Sequence, residues 1–163
     1  MIRLPLSLLA AAVLGAALLA APTSALPGDR ATSFGPQGYG RVKLGMSLKA
    51  ARKTGLINKI TKPPVQGACG SFTLKGTKAS AYYEKKRGVT ALFAGKSMKT
   101  PRGIKLGDKF KKVKKAYPGL KAGPNVHSVR VPGNRKALYL FLFDDSDRLY
   151  ELGLALTPIR CFN

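Results

Sequence analysis

Few side chains in this sequence of 163 residues could carry catalysis or bind a metal ion. The single histidine, His127, lies in the segment GPNVHSV, and no motif connects it to an acid or a nucleophile. A metal site or a catalytic triad needs several groups at defined positions, which one histidine cannot supply. Hydrolase, phosphate-binding and cysteine-nucleophile motifs are also absent from the sequence. We therefore predict a protein that is not an enzyme, with no catalytic residue, metal site or cofactor.

The densest group of carboxylates is the run Asp144-Asp145-Ser146-Asp147. As a calcium site it would lack the twelve-residue ligand spacing and the closing glutamate of an EF-hand. Aspartate and serine are frequent in turns, because their short side chains hydrogen-bond to nearby backbone groups. The run therefore predicts a hairpin turn.

Basic residues outnumber acidic residues by 29 to 7, which gives a formal net charge of +22. Residues 105–117, KLGDKFKKVKKAY, contain six lysines. Phe110, Val113 and Tyr117 are spaced to form one apolar stripe of a helix. The other positions of that helix are basic, at Lys109, Lys111, Lys112, Lys114 and Lys115. This pattern fits either a solvated helix face or an anion-binding surface, and no glutamate follows at i+4 to pair with the lysines.

A second basic group, Lys85-Lys86-Arg87, falls in a predicted turn. We predict that these three residues and the five lysines of the helix form an anion-binding surface. Such an excess of positive charge favours anionic surroundings. The expected partner is an anionic surface polymer or lipid, or an extracellular protein. Binding to nucleic acid is expected to be only non-specific, because no nucleic-acid recognition motif is present.

Residues 1–25 have the pattern of a secretory signal peptide, with Arg3 before an apolar stretch and small residues up to Ala25. The alternative is a retained membrane anchor. Cleavage after Ala25 would leave a secreted, extracellular protein without a transmembrane segment.

Two cysteines, Cys69 and Cys161, remain after the predicted cleavage site. In an exported protein an even number of cysteines indicates a disulfide bond. We predict the Cys69–Cys161 bridge, with an intermolecular bridge or a reactive thiol as the alternatives.

The predicted mature chain has a Gly- and Pro-rich linker at 26–37, followed by two similar segments, 38–100 and 101–163. Each segment begins with Lys-Leu-Gly, at 43–45 and 105–107, and continues into a helical pattern. Ser47 and Asp108 are the predicted helix caps, and Gly55 and Pro118 are the predicted ends. Period-two patterns then predict strands at 72–75, 79–84, 89–94, 128–131, 137–143 and 148–156. The sequence therefore predicts an α+β fold in which two tandem helix-plus-antiparallel-strand repeats share a sheet, with the helices on one face.

The tandem Lys-Leu-Gly turn, helix and antiparallel strands resemble the β-lactamase inhibitory protein and the small outer-membrane-assembly lipoproteins. The resemblance implies a protein-binding module or an inhibitor of an extracellular enzyme, which is the alternative to a binder of anionic envelope material. Tyr139, Phe141 and Phe143 share one strand face. We expect these residues to form either the core or an aromatic protein-binding surface.

Overall fold

The computed structural model describes residues 33–65 and 68–162, and strands predominate in these residues. A small antiparallel sheet contains β1 (Phe34–Gly35), β2 (Gly38–Tyr39) and β3 (Val42–Lys43). Two short helices are α1 (Leu48–Lys53) and α2 (Phe110–Ala116). A larger sheet contains β4 (Ile57–Thr61), β5 (Gly70–Leu74), β6 (Ser80–Glu84), β7 (Gly88–Phe93), β8 (His127–Val131), β9 (Asn134–Phe143) and β10 (Leu149–Leu156).

The seven strands of the larger sheet are antiparallel, in the order β4-β5-β6-β7-β10-β9-β8. Two meanders, β4 to β7 and β8 to β10, meet where Phe93 of β7 pairs with Gly153 of β10. Because β7 and β10 are antiparallel, their first residues lie at opposite ends of the sheet. We call the end with the β6–β7 turn the disulfide end, and the end with the β9–β10 turn the acidic-turn end.

Alternating burial along the strands separates the two faces of the larger sheet. On β5 and β6, Phe72, Leu74, Ala81 and Tyr83 are buried, while the residues between them are half-buried. These side chains belong to the main core, to which Ala51 of α1 and Val113 of α2 also contribute. The outer face is the opposite face, and it carries a smaller cluster around Ala91, Leu140 and Ala155.

Each Lys-Leu-Gly turn is held against the first part of a strand. The amide of Gly45 donates to the carbonyl of Val89 at 2.8 Å, and the amide of Gly107 donates to the carbonyl of Leu149 at 2.7 Å. Gly88, which precedes Val89, has a φ of +70°, and a Cβ there would lie 2.4 Å from the carbonyl oxygen of Met46. Only glycine allows this close approach.

The predicted α+β fold, with two tandem helix-plus-strand repeats and helices on one face of a shared sheet, is wrong. Ten of the twelve elements in the described residues are strands, and they form two antiparallel sheets of three and seven strands. The helices have six and seven residues, so each makes fewer than two turns. Gly55, which has a φ of +74°, and Pro118 follow the helices closely, whereas the period-two segments extend into long strands.

All six predicted strands are present, and β9 begins three residues earlier than predicted, at Asn134 instead of 137. The last part of the predicted linker, 33–37, includes strand β1. Phe34 lies in β1 with only 1% of its surface exposed, and its carbonyl accepts a hydrogen bond from the Tyr139 hydroxyl at 2.9 Å.

Residues 26–32 and the predicted signal peptide lie outside the described residues. Within 33–65 and 68–162, no helix is long and apolar enough to cross a membrane.

Candidate anion-binding surfaces

The lysine helix, which is α2 (Phe110–Ala116) together with its N-cap Lys109, packs its predicted apolar stripe inward. Val113 and Tyr117 are buried and Phe110 is half-buried. The ring of Tyr117 packs on the rings of Tyr139 and Phe141, with centroids 5.8 and 5.5 Å apart. All five lysines of the helix are exposed, as the spacing predicts. The stripe therefore holds the helix on the core without using the charged positions.

The five lysines differ in what they contact. Lys109 donates through Nζ to the carbonyl oxygen of Ser146 at 2.7 Å, and Lys112 forms an ion pair with Asp108 at 2.9 Å. The other three have no hydrogen bond or ion pair to any residue that the structure describes, and they are Lys111, Lys114 and Lys115. These three ammonium groups are therefore available to an external anion.

Asp108 does not cap the lysine helix as predicted. The N-cap position is Lys109, which makes no side-chain capping bond, and the Asp108 carboxylate accepts instead from the Lys105 amide at 3.0 Å. In α1 the predicted cap is confirmed, since the hydroxyl of Ser47 accepts from the Ala50 amide at 3.2 Å. Asp108 therefore stabilises the Lys-Leu-Gly turn and holds Lys112.

The second predicted basic group forms the β6–β7 turn, where Lys85 and Lys86 are exposed. Arg87 is half-buried, forms an ion pair with Glu84 at 2.9 Å and donates to the carbonyl oxygens of two C-terminal residues. Those acceptors are Thr157 at 3.3 Å and Pro158 at 2.9 Å. Arg87 thus connects the turn to the C-terminal segment, while the side chains of Lys85 and Lys86 are exposed to solvent.

The two predicted basic groups do not form one surface. The lysine helix begins at the acidic-turn end, where the Phe110 amide donates to the Asp147 carbonyl at 3.0 Å. The β6–β7 turn lies at the disulfide end, because β7 begins there and runs antiparallel to β10. About nine strand positions separate the two ends, which is roughly 30 Å. Any single small ligand can therefore meet one group only.

An open groove of about 1050 Å³ lies beside the β6–β7 turn, and sequence reasoning did not predict it. The pairing of Gly70 with Tyr83 brings the β4–β5 connection next to this turn. The apolar residues of the groove are Pro63, Pro64, Val65 and Ala68. Its charged residues are Lys62, Glu84, Lys85, Lys86, Arg87 and Arg160. The sequence feature that indicates the groove is the apolar Pro-Pro-Val after Lys62. Its position beside the basic turn, however, follows only from strand pairing.

The predicted disulfide is confirmed: Cys69 and Cys161 are bonded, with their Cα atoms 5.4 Å apart. The bridge fixes the C-terminal segment across the outer face, where Phe162 packs on Tyr82 and Phe93 at 5.7 and 5.1 Å. Ligand atoms of the two cysteines and Glu84 lie within 4.8 Å of one another. Because both sulfur atoms are engaged in the disulfide, this cluster does not offer thiolates to a metal ion.

The predicted aromatic strand lies mostly in the core. Tyr139 and Phe141 are 1% and 0% exposed, so they do not form an exposed protein-binding surface, and Phe143 is half-buried against Phe110. Burial also raises the pKa of Tyr139 well above its usual range. Of the two expectations for these residues, the structure therefore places Tyr139 and Phe141 in the core.

Other apolar side chains are partly accessible on the outer face. The half-buried members of its cluster are Tyr82, Phe93, Val126, Leu138, Ile159 and Phe162. Glu151 of β10 is half-buried and forms no ion pair with any described residue. Desolvation by burial raises the pKa of its carboxyl group. The outer face thus combines apolar surface with one acid that lacks a cationic partner.

The acidic run forms the predicted turn between β9 and β10. The Asp144 carboxylate accepts from the Arg148 amide at 2.9 Å and from the Ser146 hydroxyl at 2.8 Å. These bonds lower the pKa of Asp144, with the Arg148 amide as the largest cause. His127 lies nearby against the rings of Phe110 and Phe143, at centroid distances of 5.1 and 5.4 Å. The aspartate oxygens therefore hold the turn, and the histidine packs on aromatic rings.

Comparison with known proteins gives a fold relationship and no family. No protein-family model matches the chain, and none of the curated proteins matches it. Among solved structures, the fold is similar to an extracellular protein containing a SCP domain from Bacillus anthracis str. Ames, with a TM-score of 0.52 and 14% sequence identity. The alignment covers 89% of this chain and 50% of that protein, so this chain spans about half of its length. At this identity the similarity concerns the fold alone.

Proposed function

We propose that this protein is a secreted, non-catalytic binding protein whose exposed lysines hold anionic material of the cell envelope. Secretion is supported by the Cys69–Cys161 disulfide, since such bonds persist in oxidising compartments. It is also supported by the similarity to an extracellular protein. The net charge of +22 favours an anionic partner.

The lysine helix is the observation that carries this proposal. Lys111, Lys114 and Lys115 are exposed and have no partner among the described residues. Lys111 lies at i+3 and i+4 from the other two, and like charges at these spacings cost a few tenths of a kcal/mol, about 0.2–0.5 per pair. An anionic partner would be attracted to these lysines. Binding therefore explains a cluster of like charges that folding stability alone would disfavour.

The salt dependence of binding tests the proposal. Retention of the full mature protein on immobilised polyphosphate should be strong at low salt. It should fall steeply beyond about 0.15 M salt, where the Debye length is about 8 Å. Failure to bind polyphosphate at low salt would contradict the proposed function.

A second candidate is a protein-binding module or an inhibitor of an extracellular enzyme. The partly accessible apolar residues of the outer face support it, because exposed apolar patches often mark protein interfaces. Binding through this face should persist at high salt, since apolar burial is not screened. If the natural protein captures a protein from culture supernatant at high salt and the Leu138→Lys variant does not, this candidate is favoured over the first.

A further inference from the structure

We propose that the groove at the disulfide end docks the protein on anionic phospholipid membranes. In this arrangement Val65 enters the boundary between headgroups and acyl chains, and the lysines of the groove contact lipid phosphates. The inference rests on the proposed function, because it assumes an attraction to anionic envelope material. It adds which material is bound and which part of the protein binds it.

The first supporting observation is the exposure of Val65. In the described residues, two large hydrophobic side chains are exposed, Val65 at 67% and Tyr150 at 57%. Val65 follows Pro63 and Pro64, whose rings fix the backbone φ angles and limit the conformations of the segment. An exposed valine next to this restricted segment offers an apolar tip to a membrane.

The second observation is the charge around this tip. Lys62, Lys85, Lys86 and Arg160 line the same groove, and none has a hydrogen bond or ion pair to the described residues. The acid of the groove, Glu84, is already paired with Arg87. An apolar side chain surrounded by unpaired cations is the arrangement by which peripheral proteins bind anionic bilayers.

The third observation is that the groove is held together by contacts from distant parts of the chain. The Cys69–Cys161 bond joins the β4–β5 connection to the C-terminal segment. Arg87 joins the β6–β7 turn to the same segment through Thr157 and Pro158. These bonds hold Cys69, the β6–β7 turn and the C-terminal segment together before binding, and such preorganisation favours affinity.

Val65 also distinguishes a membrane from a soluble polymer. The cations of the groove would be attracted to the phosphates of either partner. A soluble polyphosphate offers no apolar phase for a valine side chain, whereas a bilayer does, and burying that side chain is favourable. The position of Val65 within the cationic groove therefore favours phospholipid.

The absence of tryptophan from the sequence allows a direct test. Val65→Trp places a single indole at the proposed tip, and Tyr150→Trp places one at the other exposed hydrophobic position. We expect the emission of the first variant to shift to the blue with vesicles of phosphatidylglycerol and phosphatidylcholine. It should not shift with vesicles of phosphatidylcholine alone. The second variant should show no shift with either. Vesicle-bound Val65→Trp protein with unshifted emission would overturn the inference.

A second pair of variants separates this inference from the proposed function. Val65→Ser should lower partitioning onto phosphatidylglycerol vesicles by about tenfold, the effect of losing an apolar side chain from the bilayer. The matched Tyr150→Ser variant should partition like the natural protein, and both should bind polyphosphate normally. If Val65→Ser partitions normally while polyphosphate is still bound, the membrane inference alone fails. If the natural protein binds neither vesicles nor polyphosphate, the proposed function fails as well.

Discussion

The β6–β7 turn and the lysine helix carry the densest positive charge, and the fold uses them differently. In the turn, Arg87 is bonded to Glu84 and to two carbonyls of the C-terminal segment. In the lysine helix, Lys111, Lys114 and Lys115 have no such contact with the described residues. In the β6–β7 turn one cation, Arg87, joins distant segments of the chain. In the lysine helix the three cations remain exposed at the surface.

This difference shows that basic runs of similar composition can have separate roles, which only their contacts reveal. A cation with several acceptors contributes to stability, since charge-assisted hydrogen bonds are the stronger ones. A cation without acceptors contributes little to stability and remains available for binding. Stability should therefore respond to substitution of bonded cations such as Arg87, and binding to substitution of exposed lysines without acceptors.

The largest effect is expected from removing the disulfide that holds the first region. Cys69 and Cys161 are 92 residues apart, and closing a loop of this length stabilises by about 4–5 kcal/mol in the chain-entropy model. Cys69→Ser combined with Cys161→Ser should lower the free energy of unfolding by that order in urea denaturation. A loss below about 1 kcal/mol would show that the bridge does not hold the disulfide end together.

A smaller loss of stability is expected from Arg87→Gln. The variant removes a partly buried ion pair and two hydrogen bonds. Thr157 and Pro158 are exposed, so water can bind their carbonyls instead, and we expect a cost of about 1 kcal/mol. Lys86→Gln is the matched control, because Lys86 is exposed and should change stability by less than about 0.5 kcal/mol. Equal thermal unfolding of the two variants would remove the distinction between the turn's arginine and its lysines.

In the lysine helix, stability should hardly change when charge is removed. Replacing Lys111, Lys114 and Lys115 by glutamine relieves repulsion but also removes two cations from the last turn, where the helix dipole favours them. These effects oppose each other, so the free energy of unfolding should stay within about 0.5 kcal/mol of the natural value. A loss above about 1 kcal/mol would assign the lysines a structural role.

The smallest effect is expected at Glu151, the acid of the outer face. Desolvation raises its pKa in the folded protein, so ionisation of this group costs stability at a pH above the raised value. Glu151→Gln should therefore raise the Tm slightly at pH 7. The difference should vanish as the pH falls below the ordinary pKa of 4.5, where the carboxyl is protonated in both states. A pH-independent difference in Tm would contradict this account.

The sequence predicted six of the seven strands of the larger sheet and the stripe of the lysine helix, because both depend on local periodicity, but it did not predict β4. It did not predict the fold class. The helical patterns indicated two substantial helices, whereas the structure has two short helices and ten strands. Phe34 lies in a Gly- and Pro-rich segment that has no periodicity, so its burial follows only from tertiary packing.

The candidate sites were also predictable only in part, where they depend on local periodicity. Exposure of the lysines follows from the position of Phe110, Val113 and Tyr117 on the opposite side of the helix. The groove was not predictable, because the pairing of β5 with β6 brings Val65 and Lys85 together from segments 20 residues apart in the sequence. The contacts of Arg87 with Thr157 and Pro158 also depend on chain segments that are distant in sequence.

The central claim, that the lysines of the helix bind anionic material, is tested most directly by two variants of equal charge. One replaces Lys111, Lys114 and Lys115 by glutamine. The other replaces the exposed Lys59, Lys75 and Lys78, which lie on the β4–β6 side of the sheet. Each lysine at a binding surface contributes about 1 kcal/mol, so the helix variant should elute from immobilised polyphosphate at a clearly lower salt concentration than the control variant. Elution of the two variants at the same salt concentration would contradict the claim and assign the binding to net charge.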